Sequence, residues 1–178
     1  MRKLLPLALA CMVAVATASA ADQTVSALLK QVPDKAGVVV VIPNLDKAVT
    51  GLREIVKTFA PDDAAEITTD EMFAELPGGG PGYDKGGPLV AAMLPEGSEP
   101  LLILRLSDAK AWKEAASPED VEGGLLKVEA DWSTWYIVLK GDVVVLTQDE
   151  LLAKAAATAT GRAADMVTKR AGKALETY

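Results

Sequence analysis

Aliphatic runs of strand length, each followed by a helical pattern, constrain the fold of this chain more than any other feature. The first run, Gly37 to Ile42, is β-branched after its glycine and ends at Pro43. Asn44 then stands where an N-cap is needed, because its side chain can accept a hydrogen bond from the next turn. Apolar residues recur every three or four positions from Leu45 to Phe59, which predicts an amphipathic helix with one buried stripe.

The same order of strand, cap and helix returns twice along the chain. A strand at 100–106 leads to a helix at 108–116, with Ser107 as the expected N-cap. A strand at 143–146 leads to a further helix, with Thr147 as the expected cap and an acidic residue three positions later completing a capping box. Repetition of this unit predicts strands and helices that are interleaved along the sequence.

Additional strands predict hairpins in front of the second and third units. The strand at 89–94 leads into the second unit, and the strand at 134–139 leads into the third through Lys140-Gly141-Asp142. Another strand, at 125–130, alternates apolar and polar residues. We therefore predict an α+β fold with a mixed, mostly antiparallel sheet of five or six strands and helices packed on it.

Several of these strands are apolar at every position, so both faces of the sheet should be covered, at least in part. Three elements are candidates for the second cover: the C-terminal helix, a partner chain, or a domain outside this sequence. A partner chain would include a second copy of this one, which makes a homo-oligomer an expectation of the sequence.

The chain begins with the three parts of an export signal. Met1-Arg2-Lys3 is basic, Leu4 to Val15 is apolar, and Ala18-Ser19-Ala20 offers small residues for cleavage. We predict a signal peptide over 1–20, a single α+β domain over 21–160 and a C-terminal helical extension over 161–178. The protein should then be periplasmic or secreted, and the alternative is a lipid anchor through Cys11.

The residue types that are missing exclude several kinds of chemistry. Histidine is absent, and the single cysteine, Cys11, lies in the expected leader. The mature chain therefore has no disulfide, Cys/His zinc site, catalytic triad or thiol nucleophile. The 25 acidic and 18 basic residues give a net charge of −7, and removal of Arg2 and Lys3 makes it −9. This charge disfavours nucleic acids and anionic membranes as partners, and no segment after the leader approaches the length of a membrane span.

The best candidate binding residues are the aromatic side chains Trp132, Trp135 and Tyr136. This short segment holds two of the three tryptophans and one of the three tyrosines. Exposed aromatic rings on a strand stack on sugar rings or form the centre of a protein interface. Because strand side chains alternate, Trp135 and Tyr136 should lie on opposite faces of the sheet. One of them is then a core residue and the other a candidate contact.

Three other patterns fit chemical sites less well. The segment Pro77 to Pro88 holds six of the 14 glycines, but Lys85 lacks the following Ser or Thr of a phosphate loop, so we expect a flexible linker. Ser107 and Lys110 match the S-x-x-K spacing of penicillin-interacting enzymes without their other motifs. An acidic stretch does not match a calcium-binding loop and suits the first turns of helices better. It comprises Asp62, Asp63, Glu66, Asp70, Glu71 and Glu75.

The segment at 32–46 resembles the opening of exported bacterial proteins of unknown function in the DUF3352-like group. It consists of Val32-Pro33-Asp34-Lys35-Ala36-Gly37, the apolar strand, and Pro43-Asn44-Leu45-Asp46. The later strand at Gly87-Pro88-Leu89 and the helix start at Asp108-Ala109-Lys110 are similar to that group as well. The resemblance implies an envelope-associated α+β domain, and it implies no catalytic or binding residues.

Taken together, the residues predict an exported, non-enzymatic domain that acts by protein–protein or cell-envelope association and needs no cofactor or metal. One alternative is a module that binds carbohydrate or another small ligand through the aromatic segment at 132–136. Another alternative is a hydrolase that depends on carboxylates or a cation, which requires two carboxylates to converge in one cleft.

Overall fold

The computed structural model describes residues 21–95, 99–130 and 133–175. The predicted leader, with Cys11, lies outside the described residues. The helices are α1 Ala21–Leu29, α2 Leu45–Phe59, α3 Pro61–Ala64, α4 Thr69–Ala74, α5 Ala109–Ala116, α6 Glu150–Ala157 and α7 Arg162–Leu175. The strands are β1 Val38–Ile42, β2 Leu89–Met93, β3 Leu101–Arg105, β4 Glu119–Val121, β5 Leu125–Ala130, β6 Ser133–Lys140 and β7 Val143–Thr147.

The seven strands form one sheet in the order β1-β2-β3-β7-β6-β5-β4. Every neighbouring pair is antiparallel, so the α+β class and the antiparallel character are confirmed. The predicted mixture of directions and the count of five or six strands are wrong. The strand that the sequence did not reveal is β4, because Glu-Asp-Val is short and shows no apolar alternation. No helix among the described residues has both the length and the apolar character needed to cross a membrane.

Helices cover both faces of the sheet. On the first face, α1, α6 and α7 pack on side chains such as Val90, Ile103 and Val145. On the second face, α2, α4 and α5 pack on side chains such as Leu104, Ile137 and Leu146. Neighbouring residues of a strand pack on opposite faces, as Val143 and Val145 do on the first face and Val144 on the second. Part of the cover on the first face comes from α7, the C-terminal helix, which is one of the three sources that the sequence suggested.

The predicted cap at Asn44 is confirmed, and Thr68 caps α4 in the same way. The side chain of Asn44 accepts a hydrogen bond from the backbone N–H of Lys47 at 2.8 Å. The hydroxyl of Thr68 accepts one from the backbone N–H of Glu71 at 3.1 Å. In both cases the cap satisfies a donor that the helix itself leaves without a partner.

The other two predicted caps are wrong, because an aspartate farther along each segment takes the role. Asp108 replaces Ser107 and accepts from two backbone amides at 2.9 and 3.0 Å. Asp149 replaces Thr147 and accepts from two amides at 2.8 and 3.2 Å. Thr147 is fully buried as the last residue of β7, so the strand continues past the point at which the sequence placed the helix start.

Candidate interaction surfaces

The predicted aromatic segment does not form one aromatic surface. Trp135 packs against the core of the second face, and Tyr136 packs against the core of the first face. Both side chains are half-buried. Trp132 lies outside the described residues. The structure therefore confirms the alternation of Trp135 and Tyr136 and leaves them as members of two separate surfaces.

Tyr136 lies in a groove on the first face. The groove has a volume of about 570 Å³ and is bounded by the β4–β5 turn, strands β5 and β6, and helix α6. Its lining residues are Val121, Glu122, Gly123, Lys127, Tyr136, Glu150 and Lys154. The phenol makes no hydrogen bond with another described residue. This volume lies within the range that small-molecule sites occupy in proteins.

Each of the two lysines that line this groove is paired with a glutamate. The Lys127 ammonium bonds to Glu129 at 2.5 Å, and the Lys154 ammonium bonds to Glu150 at 2.6 Å. The hydrogen bond to its glutamate raises the pKa of each lysine, and it lowers the pKa of Glu129. At neutral pH the groove therefore presents ammonium donors and carboxylate acceptors beside one aromatic ring.

The strand β1 forms one edge of the sheet and carries no charged or polar residue. Its sequence is Val-Val-Val-Val-Ile, and no residue in it is fully buried. It pairs with β2 on one side, and no described residue bonds to the backbone of β1 on the other side. Val38, at its start, is 55% exposed. An apolar edge of this kind is a template for pairing with another strand.

The outer part of α2 adds a second exposed apolar feature. Leu45 and Val49 are buried, whereas Ile55 is 57% and Phe59 is 83% exposed. The sequence predicted that the apolar residues of this helix would all face the core. The prediction holds for the first half of the helix and is wrong for Ile55 and Phe59, because the described structure provides nothing that covers them. These two residues lie one helical turn apart, so they share one face of the helix.

The structure corrects the prediction of a flexible linker at 77–88. Its glycines at 78, 79, 80 and 82 adopt positive φ angles that other residues rarely take. Gly82 lies against the backbone of α5, and its carbonyl accepts hydrogen bonds from the backbone amides of Ser107 and Asp108. Tyr83 is buried and donates to the carbonyl of Pro77 at 2.8 Å. The segment is a packed loop with a structural role.

The remaining predicted chemical patterns do not assemble. The Ser107 hydroxyl donates to backbone carbonyls of the glycine-rich loop, and Lys110 extends from α5 towards Glu114. The two residues therefore do not form a catalytic pair. In the acidic stretch, Asp70 bonds to Lys85, and Asp62 is exposed on α3. Across the described residues, no three acidic, histidine or cysteine side chains come together as a metal site.

No protein-family model, curated protein or solved structure matches this chain. The resemblance to the DUF3352-like group therefore stays a prediction. The surfaces themselves carry the functional argument: the uncovered edge at β1, the exposed end of α2 and the charged groove around Tyr136.

Proposed function

We propose that this protein is an exported, non-enzymatic domain that works by binding another protein. The observation that carries the proposal is the uncovered edge of β1, and the helix that follows β1 along the chain exposes Ile55 and Phe59 on its outer half. Natural proteins protect the edges of their sheets with charges, prolines, bulges or covering elements. β1 has none of these within its five residues, which supports a role in association.

The opposite edge of the sheet provides an internal comparison. β4 has only three residues, and two of them are Glu119 and Asp120. A short, acidic edge strand opposes pairing, because carboxylates repel one another and bind water. The two edges of one sheet thus differ in the way expected if one of them is kept available for a partner.

The exposed end of α2 is a second apolar area. Two residues separate β1 from α2, and Leu45 and Val49 share a core with Ile42. Transfer of a side chain such as Phe59 from water to an interface contributes about 1.5–3 kcal/mol. A partner that covers both features would therefore gain hydrophobic energy as well as backbone hydrogen bonds.

Site-specific photocrosslinking tests this function in the exported protein. A photoreactive phenylalanine analogue replaces Phe59 in one variant and Leu151 in a matched control. Leu151 is 76% exposed but lies on α6, against the first face. We expect one adduct of defined mass at position 59 that is absent at position 151. Adducts that are the same at both positions, adducts to lipid alone, or no adduct at position 59 would contradict the proposal.

The groove around Tyr136 supports a second candidate function, the binding of a neutral carbohydrate. A sugar ring offers an apolar face for the phenol and adjacent hydroxyls that both donate and accept hydrogen bonds. Lys127, Lys154 and Glu150 supply the complementary donors and acceptors. Because each of the two lysines is already paired with a glutamate, a neutral ligand fits the groove better than a strongly charged one.

Calorimetry with an uncharged tetrasaccharide, such as chitotetraose or maltotetraose, tests the second candidate. Tyr136→Ala should abolish binding, while Trp135→Ala on the opposite face should leave it unchanged. Equal losses in the two variants would point to a general effect on the fold, and heat of binding that survives in Tyr136→Ala would remove the groove as the site.

A further inference from the structure

We infer that the partner at β1 is a second copy of this chain, paired antiparallel across a two-fold axis at Val40. This inference rests on the proposed function and deepens it by naming the partner. The resulting dimer would join two seven-stranded sheets into one continuous sheet through the two β1 edges. Each step of the argument below uses a feature of β1 or its surroundings.

The residue pattern of β1 is self-complementary. Antiparallel pairing centred on Val40 places Val38 opposite Ile42 of the second copy and Val39 opposite Val41. Every cross-strand pair is then between β-branched aliphatic residues, which are favourable neighbours in sheets. A partner strand of another composition would need the same apolar alternation on both faces, whereas β1 provides it by itself.

Charges at the two ends of β1 are compatible with the same arrangement. Lys35 precedes the strand beside Asp34, and Asp46 follows it beside Lys47, with the Asp46 carboxylate accepting a hydrogen bond from the hydroxyl of Thr69. In an antiparallel pair, the start of one strand lies beside the end of the other. Each end of β1 carries one acidic and one basic residue, so the seam does not bring two ends of like charge together.

The position of α2 relative to the sheet is the same in both copies. A two-fold axis perpendicular to the sheet keeps the second face of both copies on the same side. The two α2 helices, which pack on that face, therefore lie on the same side of the joined sheet. A five-residue ladder alone falls short of the roughly 1,200 Å² that specific interfaces bury, so the dimer also needs exposed apolar side chains, and Ile55 and Phe59 provide them on that side.

Substitution of Val40, the residue on the two-fold axis, by residues of opposite charge tests this geometry directly. In the dimer, residue 40 of one copy faces residue 40 of the other, so Val40→Lys and Val40→Glu each oppose two like charges. Sedimentation velocity should show a dimer for the unchanged protein and a dissociation constant at least tenfold higher for each variant. An equimolar mixture of the two variants should restore a dimer of one Lys and one Glu chain. Leu151→Lys, on the first face, should dimerise as the unchanged protein does.

Each other outcome overturns the inference: an unchanged protein that stays monomeric at all accessible concentrations, a dimer that survives both substitutions, or a mixture of the two variants that remains monomeric. If circular dichroism shows that the Val40 variants are unfolded, Val38→Lys decides, because that side chain is exposed and its charge falls opposite Ile42 of the second copy. A monomer that still gives the adduct of defined mass at position 59 would remove the second copy as the partner and keep the proposed function.

Discussion

At the scale of single residues, Gly82 has the least freedom to change. Its φ is +81°, and a Cβ there would lie 2.4 Å from the carbonyl oxygen of Asp108 and 2.6 Å from the backbone nitrogen of Trp112. Gly82→Ala therefore combines backbone strain with a clash against α5. We expect a loss of about 2–4 kcal/mol in the free energy of unfolding, measured by urea denaturation.

Gly79→Ala is the matched control for this prediction. Gly79 also has a positive φ, +62°, but a Cβ there would have no atom within 4 Å. Only the conformational cost remains, about 1 kcal/mol. Equal losses in the two variants would show that close packing at Gly82 does not hold the loop in place.

Tyr83 gives the protein a stability change at alkaline pH. Burial raises the pKa of its phenol above the ordinary value of 10.0. Above pH 10 the unfolded chain therefore loses this proton while the folded protein keeps it, so the unfolded state is favoured as the pH rises. Below pH 10 the phenol is neutral in both the folded and the unfolded state, so the contribution of Tyr83 to the free energy of unfolding is fully present.

We expect the free energy of unfolding to fall more steeply above pH 10 in the unchanged protein than in Tyr83→Phe. The variant should lose about 1 kcal/mol at neutral pH, because the carbonyl of Pro77 keeps its second donor, the indole of Trp112. Urea denaturation from pH 8 to 11 measures both effects. Parallel curves for the two proteins would contradict the assignment of this pH dependence to Tyr83.

The sequence could predict which face a residue takes more readily than whether that face is covered. Alternation along a strand places Trp135 and Tyr136 on opposite sides, and the structure agrees. The exposure of Phe59 could not be predicted in this way, because helical spacing identifies an apolar stripe and says nothing about how far the neighbouring elements reach along it.

At the scale of elements, the N-caps of α5 and α6 show why the first residue of a helix is difficult to predict from sequence. A serine or threonine and an aspartate stand close together before α5 and α6, and either type can accept hydrogen bonds from the first turn. The aspartate became the cap in both cases. The choice depends on where the preceding strand ends, which is a property of the sheet.

Asp149→Ala tests the cap of α6. The substitution removes the acceptor for the backbone amides of Leu151 and Leu152, so we expect a loss of about 1 kcal/mol in thermal or chemical unfolding. Asp149→Asn keeps an oxygen in the same position and should retain most of that stability. If the asparagine variant is as unstable as the alanine variant, charge, and not hydrogen bonding, is the source of the effect.

The two edge strands, β1 and β4, differ in how clearly the sequence predicts them. β1 was evident as a β-branched run between Gly37 and Pro43. β4 was not, because its pairing with β5 depends on a turn at Gly123 and Gly124, where both φ angles are positive. β1 is an edge strand because it lies at one end of the strand order. The residue pattern within a strand does not determine the strand order, so the sequence could not predict this position.

At the scale of the whole molecule, the sheet is covered by helices of this chain on both faces, while its β1 edge stays open. The all-apolar strands led to the expectation of a second cover, and α1, α6 and α7 contribute it on the first face. The groove around Tyr136 could not be predicted either, since it joins residues from β4, β5, β6 and α6 that are distant in sequence.

Hydrogen–deuterium exchange of the β1 amides at two protein concentrations tests the central claim, that the open edge of β1 is a binding surface for a second copy. The amides of β1 that point away from β2 should exchange quickly in dilute protein and slow markedly at high concentration, while those of the acidic edge strand β4 should not change. Exchange in β1 that is independent of concentration, or equal slowing at both edges, would contradict the account.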